Sequence, residues 1–346
     1  MGRVFERPAF VVAAALLFAA LPARADKITL RLADGLPTTH IINRTIVEPF
    51  ISQVSEATHG QVEIRHFPAE QLGKARDMLI LTQAGVDDIG FIVPSYQSDR
   101  MPLSTVTELP GIFQTSCQGD AALRALTEEG AILNEREFKP NGLKPLIIFL
   151  MPAYQLILSS GRPLGALKDA EGLKIRTPGG AMDLTLMQLG AVPIRVGPTD
   201  IYEGMSRGTL DGALLAYQSA VAYHLAPLLK SGTLGQDFGT VAVTFSIRLK
   251  TWNALPADVQ ETLSRISQSL SRQACEKFDK AEQEALATVR ARGVNLVTPT
   301  DNDHAALEAA FAQVRATWAR RLDARGKPGT EIMKAFMDAA EAAKPQ

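Results

Sequence analysis

The sequence predicts an α/β protein of two lobes that share one long helix. Strand patterns alternate with amphipathic helix patterns through most of the chain, which is typical of α/β folds. A chain of 346 residues is long enough for two domains with separate cores. Apolar residues recur every three or four positions from Ala257 to Arg292, and no proline or glycine interrupts them. One helix there would be about 54 Å long, so we expect it to lie across both lobes.

The amino terminus has the pattern of a signal peptide. Arg3 and Arg7 precede an apolar run, residues 9–21, that is too short to cross a bilayer comfortably. The segment Ala23-Arg24-Ala25 supplies the small residues that a signal peptidase needs. We therefore predict export to the periplasm with cleavage after Ala25.

The periodicity of the mature chain places individual elements. The predicted strands are Ile28–Leu32, Val62–Phe67, Asp88–Val93, Leu146–Leu150, Gln155–Ser159, Leu173–Arg176, Pro193–Val196, Gly212–Leu215 and Val241–Arg248. The first predicted helix runs through Ile42 and Val54. Further helices are predicted at Arg76–Ala84 and Met182–Leu189, in the long helix, and in an amphipathic tail, His304–Ala343. The βαβ order at the start predicts a mostly parallel sheet covered by helices.

Charge and cysteine content narrow the class of protein. Removal of residues 1–25 changes the formal charge from −1 to −3, and this near balance does not favour a nucleic-acid partner. Cys117 and Cys275 lie far apart and in no metal-ligand spacing. An exported location permits a disulfide between them, but the sequence leaves the pairing open.

Signatures of catalysis are missing from the sequence. It contains no Gly-x-Ser-x-Gly elbow, no phosphate-binding glycine loop and no His-Glu-x-x-His. We therefore predict a binding protein without catalytic residues, metal or cofactor. An exported lyase or hydrolase acting on a small carboxylic acid stays open as the alternative, because a catalytic triad can be assembled from distant residues.

The strongest local signal surrounds Arg176. The strand Leu173–Arg176 is stopped abruptly by Pro178, Gly179 and Gly180, and a helix pattern follows. An arginine at the carboxyl end of a strand, just before a helix, lies where open α/β sheets hold anionic ligands. The competing interpretation is a solvated arginine.

Several blocks, in order from about Ile28 to beyond Pro256, resemble the periplasmic solute-binding proteins of tripartite ATP-independent periplasmic (TRAP) transporters, the DctP type. The blocks are Phe67-Pro-Ala-Glu-Gln-Leu-Gly73, Ala84-Gly-Val-Asp-Asp-Ile-Gly-Phe91, Pro102-Leu103 through Glu108-Leu-Pro110, Glu171-Gly-Leu-Lys-Ile-Arg176, Tyr202 to Gly212 and Thr251-Trp-Asn-Ala-Leu-Pro256. The resemblance implies a periplasmic-binding-protein-like fold of two α/β lobes with mixed sheets, whose long helix runs over both. We expect residues 26–150 with about 241–275 in lobe I, and 151–240 with about 276–346 in lobe II.

The resemblance also implies a function. The lobes of such a receptor close over a small organic acid, and the receptor delivers it to membrane subunits of a TRAP permease, which are separate chains driven by an ion gradient. Arg176 matches the family's arginine that pairs with the ligand carboxylate. Its planar guanidinium can donate two parallel hydrogen bonds to that group.

Departures from the family pattern bear on the ligand. Gln155 stands near the position where many members carry a second arginine, and Leu215 stands where many have asparagine. These changes predict a monocarboxylate with a hydroxyl, keto or aromatic body, because a second carboxylate would lose its charged partner. Arg195 or Arg248 would overturn this prediction if either supplied the missing charge.

Other candidate ligand contacts are aromatic or polar, as pocket linings usually are. They are His40, Tyr96, Phe149, Tyr154, Tyr217 and Gln218. Three of them have an alternative without a ligand: His40 as a solvated loop residue, Tyr96 as a packing residue and Phe149 as a core residue.

Overall fold

The computed structural model describes residues 1–2, 27–162, 164 and 167–344. The predicted cleavage position lies outside the described residues. Strands of the described chain form two sheets, and we call each sheet with the elements packed on it a lobe. The strands are β1 (Ile28–Ala33), β2 (Val62–Phe67), β3 (Ile89–Ile92), β4 (Leu143–Leu150), β5 (Gln155–Leu158), β6 (Lys174–Thr177), β7 (Val192–Arg195), β8 (Gly212–Leu215), β9 (Ser231–Thr233), β10 (Ala242–Arg248) and β11 (Asn295–Val297).

The first sheet has the order β2-β1-β3-β10-β4. Strand β1 pairs in parallel with β2 and β3, as the βαβ pattern predicts. Strand β10 instead runs antiparallel to both of its neighbours, β3 and β4. The sheet is therefore mixed, since β10 enters from a distant part of the chain and without a crossover helix.

The second sheet has the order β11-β9-β5-β8-β6-β7 and is also mixed. Strand β6, which ends beside the predicted ligand site, lies between β8 and β7 and is parallel to both. Strand β5 is antiparallel to β8 and β9. Strands β9 and β11 were not predicted, because three residues are too few for a periodic pattern.

Helices cover both sheets. They are α1 (Glu48–Ala57), α2 (Met78–Ala84), α3 (Ser116–Thr127), α4 (Met182–Gln188), α5 (Ile201–Ser206), α6 (Tyr217–Ala222), α7 (Leu249–Ala254), α8 (Ala257–Ala291), α9 (Asp301–Asp323) and α10 (Gly329–Ala342). Helix α3 was not predicted. A Cβ atom at its Gly119 would lie 2.5 Å from Leu150 Cδ1, so the glycine allows the helix to approach β4 closely.

The long helix α8 connects the lobes as predicted. It contacts β4, α1 and α3 in the first lobe and α6 in the second. Its Phe278 packs on Phe149, with ring centroids 5.0 Å apart. Four residues farther along, the Glu282 carboxylate accepts hydrogen bonds from the backbone N–H groups of Tyr217 and Gln218 at the start of α6. One helix therefore makes both apolar and polar contacts across the two lobes.

A disulfide joins Cys117 of α3 to Cys275 of α8. The Cα atoms are 4.8 Å apart, within the range that such a bond requires. The sequence left this pairing open, and the structure forms it.

The carboxyl-terminal tail forms two helices, where the periodicity predicted one amphipathic stretch. Helix α10 packs on α3 in the first lobe, and Phe336 meets Phe113 edge to face. The predicted boundaries assign residues 276–346 to the second lobe, whereas these contacts put α10 beside the first sheet. Burial of the apolar stripe of α10 on α3 accounts for this position. The lobe boundaries themselves stay a prediction.

Candidate functional site

Arg176 lies at the carboxyl end of β6 and is 2% exposed. Its Nε donates to the Val196 carbonyl oxygen at 3.2 Å and its Nη1 to the Leu214 carbonyl oxygen at 3.4 Å. None of the ion pairs that the described residues form includes Arg176. Burial of a guanidinium without an acidic partner is costly, so this arrangement suits an anion that comes from outside the chain. The solvated alternative does not agree with this burial.

Three tyrosines share the electrostatic environment of Arg176: Tyr96, Tyr154 and Tyr223. Arg176 lies close enough to all three for its positive charge to lower the pKa of each phenol. Burial raises the pKa of all three phenols, and the charge of Arg176 opposes this only in part. The hydroxyls therefore stay protonated at neutral pH and can donate hydrogen bonds to a carboxylate.

Both lobes contribute to this cluster. Tyr96 follows β3 in the first lobe, Tyr154 lies on the connection from β4 to β5, and Tyr223 follows α6 in the second lobe. His40, in the loop after β1, stacks on the Tyr223 ring with centroids 5.4 Å apart and planes at 29°. The lobes therefore meet at the cluster.

A second arginine lies beside the cluster. The guanidinium carbon of Arg76 is 5.9 Å from the centroid of the Tyr96 ring, within cation–π range. Its Nη1 is buried without a hydrogen-bond partner among the described residues. The sequence analysis did not propose Arg76, although it begins the predicted helix that follows the Gln-Leu-Gly block. Its place after a strand of the first sheet is the signal that would have identified it.

Arg195 and Arg248, the two arginines that could have supplied the second positive charge, make other contacts. Arg195 Nε binds the Asp183 carboxylate at 2.6 Å, and its side chain is half exposed. The Arg248 side chain packs against Gly85, where a Cβ atom would lie 2.4 Å from Nη1. A positive charge beyond Arg176 thus comes from Arg76.

The structure does not bring Gln155 to the cluster. Its Nε2 donates to the Gln236 carbonyl oxygen, and its Oε1 accepts from Thr233 Oγ1 at 2.9 Å and from the Gln236 N–H at 3.3 Å. Tyr217 is turned in the same direction, because its hydroxyl donates to the Thr233 carbonyl oxygen at 2.7 Å. The polar groups of both side chains therefore form hydrogen bonds inside the second lobe.

Phe149 and Gln218 also lie outside the tyrosine cluster. Phe149 is buried in the contact with α8 described above, which agrees with its alternative as a core residue. Gln218 Nε2 donates to Ser219 Oγ at 2.9 Å, and its Oε1 is buried without a partner among the described residues. Of the proposed contacts, His40, Tyr96 and Tyr154 thus gather near Arg176. Tyr223 joins them, although no motif marked it.

A polar contact connects the lobes at the edge of the cluster. Glu108, a buried acid of the first lobe, accepts the Ser95 hydroxyl on Oε1 and the Ala181 N–H on Oε2 at 2.6 Å. Burial raises the pKa of Glu108 to about 8. A Cβ atom at Gly180 would lie 1.9 Å from Glu108 Oε2, so this contact requires glycine. The backbone between Arg176 and α4 therefore packs closely against the Glu108 carboxyl group.

The described residues lack two other kinds of feature. No cluster of three or more histidine, cysteine, aspartate or glutamate side chains there could hold a metal ion. Likewise, no helix of that part of the chain has the length and apolar character to span a membrane.

Comparison with known proteins relates this site to a family of receptors. The family model described as bacterial extracellular solute-binding protein, family 7 (DctP) matches residues 32–321. A "Solute-binding protein" of Albidiferax ferrireducens is 23% identical over 268 residues, which cover 74% of this chain and 75% of that protein. Matches to other curated relatives, such as one from Roseobacter denitrificans, span about half of the relative's length.

Solved structures share the fold. A marine metagenome TRAP solute-binding protein, specific for aromatic acid ligands and bound to metahydroxyphenylacetate, superposes with a TM-score of 0.86 and 20% identity. The match covers 92% of this chain and all of that one. A TRAP periplasmic solute-binding protein from Bordetella bronchiseptica with bound (R)- and (S)-mandelate has a TM-score of 0.82 and 23% identity, at 92% and 100% coverage.

Proposed function

We propose that this chain, which belongs to the bacterial extracellular solute-binding proteins of family 7, is the receptor of a TRAP transporter. It binds a small organic acid between its lobes and delivers that acid to membrane permease subunits, which are separate chains. The observation that carries the proposal is Arg176, buried between the lobes and without an acidic partner among the described residues. The ligand carboxylate completes its hydrogen bonding as a bidentate partner.

The proposed ligand is a monocarboxylate with an aromatic or hydroxylated body. The tyrosine cluster supplies flat apolar surface together with hydroxyl donors, which suits such a body. Structural relatives bound to an aromatic acid or to mandelate support this choice of class. Arg76 is the group that would accept a second carboxylate, so dicarboxylates belong in the test.

The test is a thermal-shift screen of the mature protein against aromatic, hydroxy and keto monocarboxylates beside succinate and malate. A ligand at 100 times its Kd raises the free energy of unfolding by about 2.7 kcal/mol, which such a screen detects. Calorimetry then ranks the Kd values of the hits. A dicarboxylate that binds tightest would contradict the monocarboxylate class and assign its second carboxylate to Arg76.

Receptor and enzyme are separated by the fate of the ligand. We propose that the protein returns its ligand unchanged, because the family model that it matches describes solute-binding proteins. Prolonged incubation of the protein with each hit, followed by mass spectrometry of the small molecule, tests this. Turnover of any hit would favour the exported lyase or hydrolase.

Export and cleavage after Ala25 complete the proposal. The tripartite start of the chain supports them, with two arginines, an apolar run and the Ala23-Arg24-Ala25 segment. Amino-terminal sequencing of the protein recovered from a periplasmic fraction should begin at Asp26.

A further inference from the structure

His40 holds a hydrogen-bonding group that the protein itself does not use. The residue is 1% exposed, and its Nε2 has no hydrogen-bond partner among the described residues. The ring lies at the contact between the lobes, with one face against Tyr223. Tyr223 in turn shares its electrostatic environment with Arg176 and the other two tyrosines.

The local backbone fixes which nitrogen carries the proton. His40 Nδ1 accepts the Ile42 N–H at 3.2 Å, so Nδ1 is unprotonated. A neutral imidazole then carries its proton on Nε2, at the tip of the ring and away from its own main chain. Burial, aided by the positive charge of Arg44, lowers the pKa of His40 to about 3, so the ring is neutral at physiological pH. Nε2 is therefore a neutral N–H donor.

The carboxylate beside this loop, Asp34, already has hydrogen-bond partners on both oxygens. Asp34 Oδ1 accepts the Leu36 N–H at 2.8 Å, and Oδ2 binds His66 Nε2 at 2.6 Å. A buried donor left without an acceptor costs about 1–3 kcal/mol. An acceptor that arrives with the ligand removes this cost, and a ligand without one does not.

We propose that His40 selects the ligand at a point away from its carboxylate, by donating its Nε2–H to a hydroxyl or carbonyl oxygen. The inference rests on the proposed function, in which Arg176 holds the carboxylate. The uncharged Nε2–H does not neutralise a second carboxylate, so we expect its acceptor on the ligand to be a neutral oxygen. The proposed ligand is then an aromatic monocarboxylate whose ring carries a hydroxyl or carbonyl group.

Matched acids test this inference. Calorimetry compares the Kd values of benzoate, 3-hydroxybenzoate and 4-hydroxybenzoate, with phenylacetate and its 3- and 4-hydroxy derivatives as a second series. We expect at least one hydroxylated acid to bind tenfold tighter than its parent to the wild type. In His40→Phe, which keeps a flat ring against Tyr223, the ratio of the two Kd values should fall below threefold. His40→Gln, which restores an N–H donor, should recover part of the ratio, and His304→Gln on exposed α9 should leave it unchanged.

The outcomes separate this inference from the function on which it rests. If the wild type binds none of the carboxylates, the proposed receptor function fails. If it binds hydroxylated and parent acids equally, or if His40→Phe keeps the full ratio, only the inference fails. Nitrogen-15 NMR of the histidine rings adds a test without any ligand. A His40 ring that is protonated on Nδ1, or charged at pH 7, overturns the inference whatever the variants do.

Discussion

Glu108 and Ala181 join the two lobes through one hydrogen bond, in which the Ala181 N–H donates to Glu108 Oε2 at 2.6 Å. The carboxyl group belongs to the first lobe, and the N–H lies five residues beyond Arg176 in the second. Glu108 Oε1 accepts from the Ser95 hydroxyl, so one carboxyl group connects Ser95 of the first lobe to Ala181 of the second. Burial of this carboxyl group raises its pKa, although both hydrogen bonds act in the opposite direction.

Ligand affinity should fall as pH rises through neutrality. Burial raises the pKa of Glu108 from 4.5 to about 8 in this contact, and Asp183 adds a smaller push in the same direction. When the lobes open, water reaches the carboxyl group and its pKa returns toward the ordinary value, so closure takes up a proton. The contribution to closure is complete below about pH 4.5 and is lost as pH rises through 8.

Calorimetry with one ligand between pH 6 and 9 tests this dependence. The Kd should rise about tenfold per pH unit below pH 8, which is the slope for one proton. Glu108→Gln keeps an acceptor for the Ala181 N–H but does not titrate, so its Kd should be nearly constant. Equal slopes in both proteins would refute the role of Glu108.

Gly180→Ala should weaken ligand binding at least tenfold. The new methyl group would lie 1.9 Å from Glu108 Oε2, and φ at Gly180 is +66°. Gly172→Ala is the matched control, because its φ is +74° with nothing within 4 Å of the added Cβ atom. The control carries the same backbone strain without the clash. Calorimetry of both variants separates the two effects, and equal losses would show that only strain matters.

Arg176→Ala should abolish measurable ligand binding, because the ligand carboxylate then has no bidentate partner in the closed site. Arg176→Lys should weaken binding by well over tenfold, since an ammonium group does not reproduce the planar pair of donors. Arg292→Ala, at the exposed end of α8, controls for the loss of one positive charge. Calorimetric binding by Arg176→Ala within threefold of the wild type would contradict the anchor role.

Ligand should make the protein more compact in solution. The stacking of His40 on Tyr223 and the bond between Glu108 and Ala181 both require the lobes to meet. Small-angle scattering should therefore give a smaller radius of gyration at saturating ligand than without it. Arg176→Ala at the same ligand concentration should show no decrease. An unchanged wild-type profile at proven saturation would indicate a static pocket.

Local pattern predicted much of the fold. The strand from Lys174 to Thr177 and the helix from Ala257 to Ala291 appear within a residue or two of their expected bounds, because apolar periodicity determines which face is buried. The pattern did not reach β9 and β11, whose three residues become strands only through pairing with distant partners. Helix α3 was missed although the Thr115 side chain caps its start and Leu123 and Leu126 lie on its buried face.

A site residue could be predicted where a sequence block determines its position on the backbone. The prediction was less accurate where the direction of the side chain determines whether the residue reaches the site. Arg176 follows from the end of β6. Gln155 occupies a position close in sequence to an expected arginine, yet a bond to Thr233, 78 residues away, turns it into the interior. Tyr223 contacts His40 across the two lobes, and Arg76 contacts Tyr96 within the first lobe. Both contacts join residues that are distant in sequence, so local patterns do not predict them.

The disulfide between α3 and α8 makes a covalent ring of the chain from residue 117 to residue 275. This ring includes strands β4 to β10 and Arg176. A single proteolytic cut anywhere inside it therefore leaves one molecule, with both ends of the break still tied together. The same cut after reduction releases two fragments. One break across most of the second lobe therefore leaves the chain covalently connected, but only while these two cysteines are oxidised.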